Sequence, residues 1–403
     1  MQTAPSRIAR RPQAIGPACV LLLFWGGWGQ PAEAATRRVP EAYPTIQAAI
    51  VAAVEGDTVL LSPGTYRGVG NRDIELAGKD LVITSSHGAE QTIIDCEDAG
   101  RGFRVHQYES PAARIEKLTI VNGNAFGGAG GGIICDIASP TIAECRILTC
   151  RARFGGGLGL SLFGGIVDRC VIAGNWAADG GGGIDTQFSG GVTIANCLIT
   201  GNETDGGGGG LSFADDQGDN VLRGCTVAAN AAQDGGGGVY TNLSLLIDRC
   251  TVWGNCGPVG EQLYASEQVT SLTCCDVDSA GVDDWYASIT YDEQCVFTDP
   301  MFCTPAPCGQ ATAGDWTLSE SSPCLPSHSP CGQLIGALDA GCGVAFPPGA
   351  CCLVGGACVV VSEYACSAQQ GLYRGNGTPC QPDPCGPTPT ERTSWGRIKA
   401  AYR

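Results

Sequence analysis

Short apolar runs with an alternation of two residues recur through the middle of the chain. The segment Val192–Ile199 is representative, because Ile194, Cys197 and Ile199 would point inward from a backbone that bends near Asn196. None of these runs contains an amphipathic stretch long enough for a helix, whereas an alternation of two is the period of a strand. The pattern therefore predicts short β-strands.

The predicted strands belong to a repeat that extends from about residue 118 to residue 255. A period of this length indicates stacked supersecondary units, or rungs. We expect three strands per rung: one before a Cys, one from the Cys to a Gly-Asn turn, and one that begins in a glycine run. The repeated cysteines are spaced 25, 27, 28 and 25 residues apart, at Cys145, Cys170, Cys197, Cys225 and Cys250.

Two columns of side chains follow from this stacking. The turn Asn tolerates left-handed backbone geometry and can hydrogen-bond to the Asn of the next rung. The repeated cysteines are expected to be buried free thiols, because inward residues on parallel strands about 4.8 Å apart do not easily reach the torsion of a disulfide. Cys150 stands where other rungs carry Asn, and it could pair with a nearby Cys such as Cys135.

The chain resembles the right-handed parallel β-helix, or pectin-lyase-like, superfamily of exported bacterial proteins. The rung motif Cys-x-Ile-x-Gly-Asn carries the resemblance, together with the opening segments Tyr43–Ile50 and Asp57–Tyr66. It implies an all-β fold, a single-stranded right-handed parallel β-helix solenoid over residues 39–342 with an N-terminal helical cap within residues 39–66. An apolar stripe in that cap could cover the open strand edges: Ile46, Ala49, Ile50 and Ala53.

Residues 1–34 are predicted to be a signal peptide. Basic residues precede an apolar stretch from Ala18 to Trp28, and Ala32-Glu33-Ala34 is a small-x-small cleavage site. A membrane anchor is the alternative, but the apolar stretch is shorter than the roughly 20 residues of a spanning helix. We therefore expect a protein that is secreted or at the cell surface, with no membrane span after removal of the signal. Disulfides form readily in that environment.

Three further segments follow the regular rungs. Residues 256–342 resemble, near their end, the closing rung of many bacterial β-helix proteins and are expected to cap the C-terminal edge. Residues 386–403 form a Pro-rich spacer and a basic, aromatic tail, either an address or anchor or a frayed peptide. Residues 349–385 form a small C-terminal disulfide-rich module, with zinc binding as the rival interpretation; its cysteines are Cys351, Cys352, Cys358, Cys366, Cys380 and Cys385.

Composition and charge narrow the function. The 403 residues include 40 acidic and 23 basic side chains, for a net charge of −17, which argues against a nucleic-acid partner. The resemblance implies that an enzyme with this fold would carry particular catalytic groups. Lyases would need a Lys or Arg base together with Ca²⁺, and hydrolases would need paired carboxylates. No Lys lies in the regular rungs, and no Gly-His-Gly accompanies Asp215-Asp216. The three histidines are scattered, which disfavours a Ser/His/Asp triad or a His-based metal site.

The remaining candidate site is an outward column two residues before each repeated Cys. The resemblance implies that this face and its loops form a carbohydrate groove. Arg223 could pair with a uronate or with Asp248. The alternative to a binding site is a surface ion pair, which contributes little to stability. A second column, before the glycine runs, is interpreted as turn residues. The first column is Ala143, Asp168, Ala195, Arg223 and Asp248, and the second is Asp179, Asp205 and Asp234.

The loop beside this column carries the candidate ligand-binding and metal residues. Asp215, Asp216 and Asp219 could hold Ca²⁺, which prefers several carboxylate oxygens. The alternative is a solvated acidic loop. No cofactor other than Ca²⁺ is expected.

Taken together, the sequence favours an exported, non-catalytic β-helix protein that binds glycans or other surface polymers along its parallel-sheet face. One alternative is a polysaccharide lyase or glycoside hydrolase that acts on acidic polysaccharide with Asp168, Arg223 and Asp248. Its catalytic groups would have to converge within roughly 5–9 Å. The other alternative is a purely structural cell-surface protein. The oligomeric state is left open.

Overall fold

The computed structural model describes residues 34–162, 164–214, 218–283, 289–310, 314–342, 349–353, 357–361, 366, 372–376 and 379–380. Over these residues the chain is almost entirely β-structure. Its main body is a right-handed parallel β-solenoid of about 11 turns, in which every neighbouring strand pair runs parallel. The β-helix predicted from the repeat is confirmed.

Four sheets run along the solenoid, which we name in the order in which a rung visits them. The first sheet contains Thr36–Val39, Thr58–Leu61, Val82–Ser85, Arg114–Glu116, Thr141–Ala143, Ile166–Asp168, Thr193–Ala195, Asn220–Arg223, Leu245–Asp248, Thr270–Thr273 and Ile289–Tyr291. The second sheet contains Gly64–Tyr66, Thr92–Asp95, Thr119–Val121, Arg146–Leu148, Val171–Ala173, Leu198–Thr200, Thr226–Ala228, Thr251–Trp253 and Asp276–Val277.

The other two sheets complete the rung. A short sheet contains Asn124–Ala129, Arg151–Phe154, Trp176–Gly180, Glu203–Thr204 and Ala231–Ala232. The third sheet contains Phe103–Val105, Ile133–Asp136, Leu158–Ser161, Ile184–Gln187, Leu211–Ala214, Val239–Thr241, Leu263–Ala265 and Val282–Asp283. The expectation of three strands per rung was wrong for these middle rungs, because the residues after the Asn turn stay extended and pair before the glycine run turns the chain.

The core consists of inward side chains stacked in register. Ile142, Val167, Ile194, Leu222 and Ile247 occupy equivalent positions on successive strands of the first sheet, and all are completely buried. Full burial of such a side chain stabilises the fold by about 1.5–3 kcal/mol. Stacking therefore supplies a core that no single rung could form.

The repeated cysteines form a second inward column, as predicted. All five are buried and unbonded to other sulfurs, and the thiol sulfurs of Cys197 and Cys225 accept hydrogen bonds from the preceding rung's backbone N–H at 3.4 Å. The suggested pairing of Cys150 with Cys135 was wrong, since both are buried free thiols. Cys150 occupies the Asn position instead, where its backbone N–H donates to Oδ1 of Asn175 at 2.9 Å.

The turn asparagines form a buried ladder. Nδ2 of Asn202 donates to Oδ1 of Asn230 at 2.9 Å, and Asn175 and Asn255 continue the same pattern on either side. The hydrogen bonds between rungs were predicted, but the left-handed residue is the one before each Asn, such as Gly201 with φ 56°. The Asn is thereby free to point inward.

The first turn contains the helix α1, Ile46–Ala52, between the first two strands of the first sheet. Oγ1 of Thr45 caps it by accepting from the Ala48 N–H at 3.2 Å, and Ile46, Ala49 and Ile50 are buried. Its function as a cap of the solenoid stays a prediction. Two 3₁₀ turns, Ala89–Gln91 and Ser279–Gly281, are also present.

The closing region folds back along the flank of the solenoid. Its three-stranded sheet contains Phe302–Thr304, Asp315–Ser319 and Ala340–Cys342. Phe302, Trp316 and Ile335 form a small core with Ala228 and partly buried Trp253 of the second sheet. This part of the region that was expected to cap the C-terminal edge covers the outer face of the second sheet. Disulfides Cys256–Cys308, Cys274–Cys331 and Cys303–Cys342 tie the region down.

The last described segment is a small antiparallel sheet of Gly349–Cys352, Cys358–Val361 and Leu372–Asn376. Disulfides Cys351–Cys366 and Cys358–Cys380 cross-link it, and Cys352 is also disulfide-bonded. These cysteines therefore form disulfides and do not bind zinc. Cys385, the signal segment and the tail lie outside the described residues.

Candidate functional site

The outward column of the first sheet has the predicted register. Asp168, Ala195, Arg223 and Asp248 pair in succession on neighbouring strands. Asp168 and Asp248 are therefore three strands apart, or about 14 Å at a strand spacing of about 4.8 Å. This separation exceeds the range in which two carboxylates act together on one bond.

Each carboxylate in this column belongs to its own ion pair. Asp248 accepts from Nε of Arg223 at 2.8 Å, from Arg249 at 3.4 Å and from Oγ1 of Thr273 at 3.0 Å. Asp168 pairs with Arg169 at 2.6 Å. Because Asp168 and Asp248 each form an ion pair with an Arg, this face has the character of surface ion pairs and not of an assembled catalytic site.

The candidate Ca²⁺ loop is only partly described. Asp215 and Asp216 lie outside the described residues, and Asp219 is exposed. Across the described part of the chain, no group of three or more His, Cys, Asp or Glu side chains is arranged to hold a metal ion. A Ca²⁺ site at Asp215, Asp216 and Asp219 stays a prediction.

A groove of about 720 Å³ lies instead on the outer side of the third and short sheets. We call it the tyrosine groove. It is lined by Phe154, Asp179, Gly180, Asp185, Gln187, Gly207, Ser212, Ala214, Asp234, Gly235, Tyr240, Val259 and Tyr264. Two of its carboxylates, Asp179 and Asp234, belong to the column that the sequence assigned to turns, so that interpretation missed their position at a groove.

Two stacked tyrosines form one wall of the tyrosine groove. Tyr240 and Tyr264 face each other across neighbouring strands of the third sheet, with ring centroids 5.4 Å apart and an interplanar angle of 9°. Ser212 and Asp185 occupy the same outward position on the two preceding strands. The third sheet thus presents aromatic and hydrogen-bonding groups in one row.

The glycine runs make room for these rings. A Cβ atom at Gly207 would lie 3.0 Å from Cδ2 of Tyr240, and one at Gly235 would lie 3.7 Å from Cδ2 of Tyr264. At Gly207 in particular, a larger residue would push the ring out of its position. This close approach of ring and backbone is a local reason for glycine at that position.

The opposite wall is acidic. Asp179 is exposed and pairs with Nε of Arg153, whose guanidinium lies 5.0 Å from the centroid of the Phe154 ring. Asp234 is exposed, two rungs further on.

Partial burial and the neighbouring Tyr240 and Asp283 raise the pKa of Tyr264, so its hydroxyl is a neutral hydrogen-bond donor.

Sequence reasoning missed Tyr240 and Tyr264, although a signal exists. Both tyrosines follow a glycine-containing turn at the same distance, in Gly236-Gly-Gly-Val-Tyr240 and Gly260-Glu-Gln-Leu-Tyr264. Equal offsets in two successive rungs place side chains one above the other. Aligning the rungs on their glycines, as well as on their cysteines, would have identified the pair.

Comparison with known proteins agrees with the architecture. Residues 153–277 match the family model described as "Right handed beta helix region". No curated protein matches the sequence. Among the described residues, no helix is both long and apolar enough to cross a membrane.

Several solved structures are similar to this chain at low identity. ORF18 of Geobacillus virus E2 is 14% identical, with a TM-score of 0.45 over 64% of this chain and 58% of that chain, so the chain spans just over half of that viral protein. Pectate lyase Pel9A is 14% identical, with a TM-score of 0.37 over 73% of this chain and 90% of that chain. Pectin methylesterase from carrot is 13% identical, with a TM-score of 0.31 over 70% and 85% of the two chains. These likenesses concern the fold alone.

Proposed function

We propose that this right-handed β-helix protein is exported and, without catalysing a reaction, binds glycan chains in the tyrosine groove. The observation that carries the proposal is the pair of stacked rings, Tyr240 and Tyr264, inside an open groove of about 720 Å³. Aromatic side chains offer apolar area with a polar tip, which suits the mixed surface of a sugar. The volume lies within the usual range for ligand sites.

The shape of the groove favours a chain-like ligand. It crosses five successive rungs, from Phe154 through Gly180, Gly207 and Gly235 to Val259. At about 4.8 Å per rung this corresponds to about 19 Å, enough for several sugar units laid along the solenoid axis. A linear polymer would meet similar chemistry at each rung, because the rungs repeat.

The polar groups of the groove could supply orientation. Gln187 and Ser212 line the same surface as the tyrosines, and both can donate and accept hydrogen bonds to hydroxyl groups. On the first sheet, Asp168 and Asp248 belong to separate ion pairs, which argues against a joint catalytic role for these two carboxylates.

Export is supported by the disulfides. Five bonds are described between Cys256 and Cys380, and such bonds persist in oxidising, extracellular environments. The signal-like N-terminus accords with this location. Ca²⁺ binding at Asp215, Asp216 and Asp219 belongs to the same proposal and is tested by adding a chelator.

Tyr240→Ala tests the proposal. We expect it to weaken binding of the wild type's glycan about tenfold or more, since truncation of a central aromatic contact costs about 1–2 kcal/mol or more. Isothermal titration calorimetry against a panel of soluble oligosaccharides measures this. Tyr108→Ala is the matched control, because Tyr108 is 79% exposed and does not line the groove; it should leave affinity unchanged.

The rival functions predict different results from the same panel. Release of new reducing or unsaturated ends, abolished by Asp185→Asn or by Arg223→Ala, would replace the binding proposal with a hydrolase or lyase. Binding of no glycan in the panel would favour a purely structural protein. Equal loss in Tyr240→Ala and Tyr108→Ala would also contradict the proposed site.

A further inference from the structure

The solenoid begins where the sequence predicts that the signal peptide ends. Cleavage is predicted after Ala34, at a small-x-small motif. The compact unit that contains the solenoid starts at the same residue, and the strand Thr36–Val39 follows directly. Ala34 is exposed, whereas Ala35 is partly buried. The predicted cleavage therefore separates an exposed residue from the first residue that the fold holds.

Ala35 is held on both sides of its backbone. Its carbonyl oxygen accepts from the Thr58 N–H at 2.9 Å. Its own N–H donates to Oδ1 of Asp57 at 2.7 Å, and the Asp57 side chain is completely buried. The pairing of the first two strands, which begins at Thr36 and Thr58, fixes this arrangement. The nitrogen that cleavage would free thus lies against a buried carboxylate.

The Asp57 carboxylate is ionised and has one oxygen available for that nitrogen. Hydrogen bonds from the N–H groups of Val54 and Ala35 lower the pKa of Asp57. Oδ2 accepts from Val54 at 3.0 Å and from Nε and a terminal nitrogen of Arg37 at 3.0 and 2.9 Å. Within the described residues, Oδ1 has the Ala35 nitrogen as its one partner. Oδ1 can therefore accept more than the single proton of an amide.

Building on the export in the proposed function, we infer that removal of the signal peptide creates an ion pair between the α-ammonium group of Ala35 and the carboxylate of Asp57. A signal peptidase would hydrolyse the Ala34–Ala35 peptide bond with one water molecule. The C–N bond breaks, the hydroxyl group joins the carbonyl carbon of Ala34, and a hydrogen joins the nitrogen of Ala35. The new amine then takes up a proton from solvent.

Cleavage thereby replaces a neutral donor with a cationic one at the same place. Hydrogen bonds with an ionised donor or acceptor are roughly twice as strong as neutral ones. Arg37 is the other cation at this carboxylate, and its guanidinium also donates to the hydroxyl of Tyr43 at 3.2 Å. The ammonium group adds a second charged contact, on the other carboxylate oxygen. Since only the processed chain can form it, the first turn is held more tightly in the mature protein than in the precursor.

Two chains that differ by one residue test the ion pair. The first consists of residues 35–403. The second consists of residues 34–403, in which the ammonium group moves to exposed Ala34 and the Ala35 nitrogen is again an amide. Both are released from a removable N-terminal fusion partner after oxidative folding. Acetylation of the N-terminal amine by acetic anhydride is followed as a function of pH by mass spectrometry of the N-terminal peptide, with Lys117 as internal reference.

A neighbouring carboxylate raises the pKa of an amine, so the midpoint of the pH profile reports the ion pair. We expect a midpoint of about 8 in the 34–403 chain, the ordinary value of an α-amino group, and a higher midpoint in the 35–403 chain. At about pH 8 the amine of the shorter chain should react about fivefold more slowly, whereas Lys117 should react equally in both. A change in access alone would slow the reaction without moving the midpoint.

Asp57→Asn in the 35–403 chain locates the effect. It should return the midpoint to that of the 34–403 chain, because the amide keeps an acceptor oxygen but has no charge. Glu55→Gln is the matched control, since Glu55 is exposed in the same loop and its Oε2 accepts from the Asp80 N–H at 3.1 Å. It should leave the midpoint unchanged. If Asp57→Asn does not fold, the two unsubstituted chains decide.

Equal midpoints in the two unsubstituted chains would overturn the inference, as would equal effects of Asp57→Asn and Glu55→Gln. The full chain, exported from a bacterial host, is expected to begin at Ala35 when the mass of its N-terminal peptide is measured. Cleavage at another bond would overturn the inference and leave export intact. Retention of residues 1–34 inside the cell would contradict the proposed export as well. Glycan binding is tested independently of these outcomes by Tyr240→Ala.

Discussion

Single residues at one corner of the solenoid adopt a backbone conformation that their side chains disfavour. After the third sheet, Ile137, Leu162 and Phe188 occupy equivalent positions with φ of 57°, 49° and 53°. The N–H groups of Ile137 and Leu162 each donate to a carbonyl of the next rung at 3.1 Å. The hydrogen bond between rungs thus holds each residue in a left-handed geometry that costs about 1–2 kcal/mol for a residue other than Gly.

The cost can be measured by comparing two Ile→Gly changes. Ile137 is 41% exposed with positive φ, whereas Ile166 is 42% exposed within an extended strand. Both variants lose similar apolar burial and gain similar chain entropy, but only Ile137→Gly relieves strain. We expect it to be less destabilising than Ile166→Gly by about 1 kcal/mol, as measured by urea denaturation. Equal losses would show that the corner is unstrained.

At the scale of elements, the Asn ladder adds a column of buried side-chain hydrogen bonds between rungs that also pair through their strands and stack their apolar side chains. Oδ1 of Asn202 accepts from the backbone N–H and Nδ2 of Asn175 at 3.0 and 2.9 Å, and its Nδ2 donates to the carbonyl of Ile172 at 2.9 Å. Cys150 ends the ladder on one side. Oε1 of Gln262 ends it on the other by accepting from Nδ2 of Asn255 at 2.8 Å. Every interior polar group of the ladder is therefore paired.

Asn202→Ala is expected to lower the free energy of unfolding by about 4 kcal/mol. The change leaves buried donors and acceptors of Asn175, Ile172 and Asn230 without partners, each at about 1–3 kcal/mol, partly relieved by rearrangement. Chemical denaturation followed by circular dichroism measures the loss. Asn124→Ala is the control, because its hydrogen bonds lie at the exposed surface and its loss should stay near 1 kcal/mol. Similar losses in both variants would contradict a special contribution of the ladder.

At the scale of the whole molecule, the closing region and the solenoid meet at a buried carboxyl group. Asp276 and Val277 form the last strand of the second sheet. Oδ2 of Asp276 accepts a hydrogen bond from the thiol of Cys324, in the closing region, at 3.1 Å. Both residues are completely buried. Burial raises the pKa of Asp276 to about 8, so the group is neutral in the folded protein at pH 7.

This group makes the attachment of the closing region sensitive to pH. In the unfolded chain Asp276 ionises near pH 4, whereas in the folded protein it stays protonated until about pH 8. Between these values the folded state binds more protons, so stability falls as pH rises through this window and is level above it. Asp276→Asn should abolish this contribution. Its stability relative to wild type should therefore increase from pH 4 to pH 8.

The free energies of unfolding of both proteins across that pH range test the prediction. The control is Asp219→Asn, which removes a carboxylate that is exposed in the folded protein. A difference from wild type that stays constant with pH for Asp276→Asn would contradict the assignment.

The sequence by itself determined the solenoid, its inward columns of apolar residues and cysteines, and the Asn ladder. It could do so because a rung contacts its neighbours at equivalent positions, so that register follows from a period of 25 to 28 residues. Position within one rung then predicts burial in all of them.

Only the tertiary structure decided where a ligand could lie. The groove depends on contacts between rungs, such as Tyr240 against Tyr264 and Asp179 with Arg153, and on how far the chain bends at each glycine run. The path of the closing region along the second sheet likewise follows from packing of Trp316 and Phe302 on residues distant in sequence. No local pattern encodes the packing of the closing region, since Trp316 and Phe302 share neither period nor motif with the second sheet that they cover.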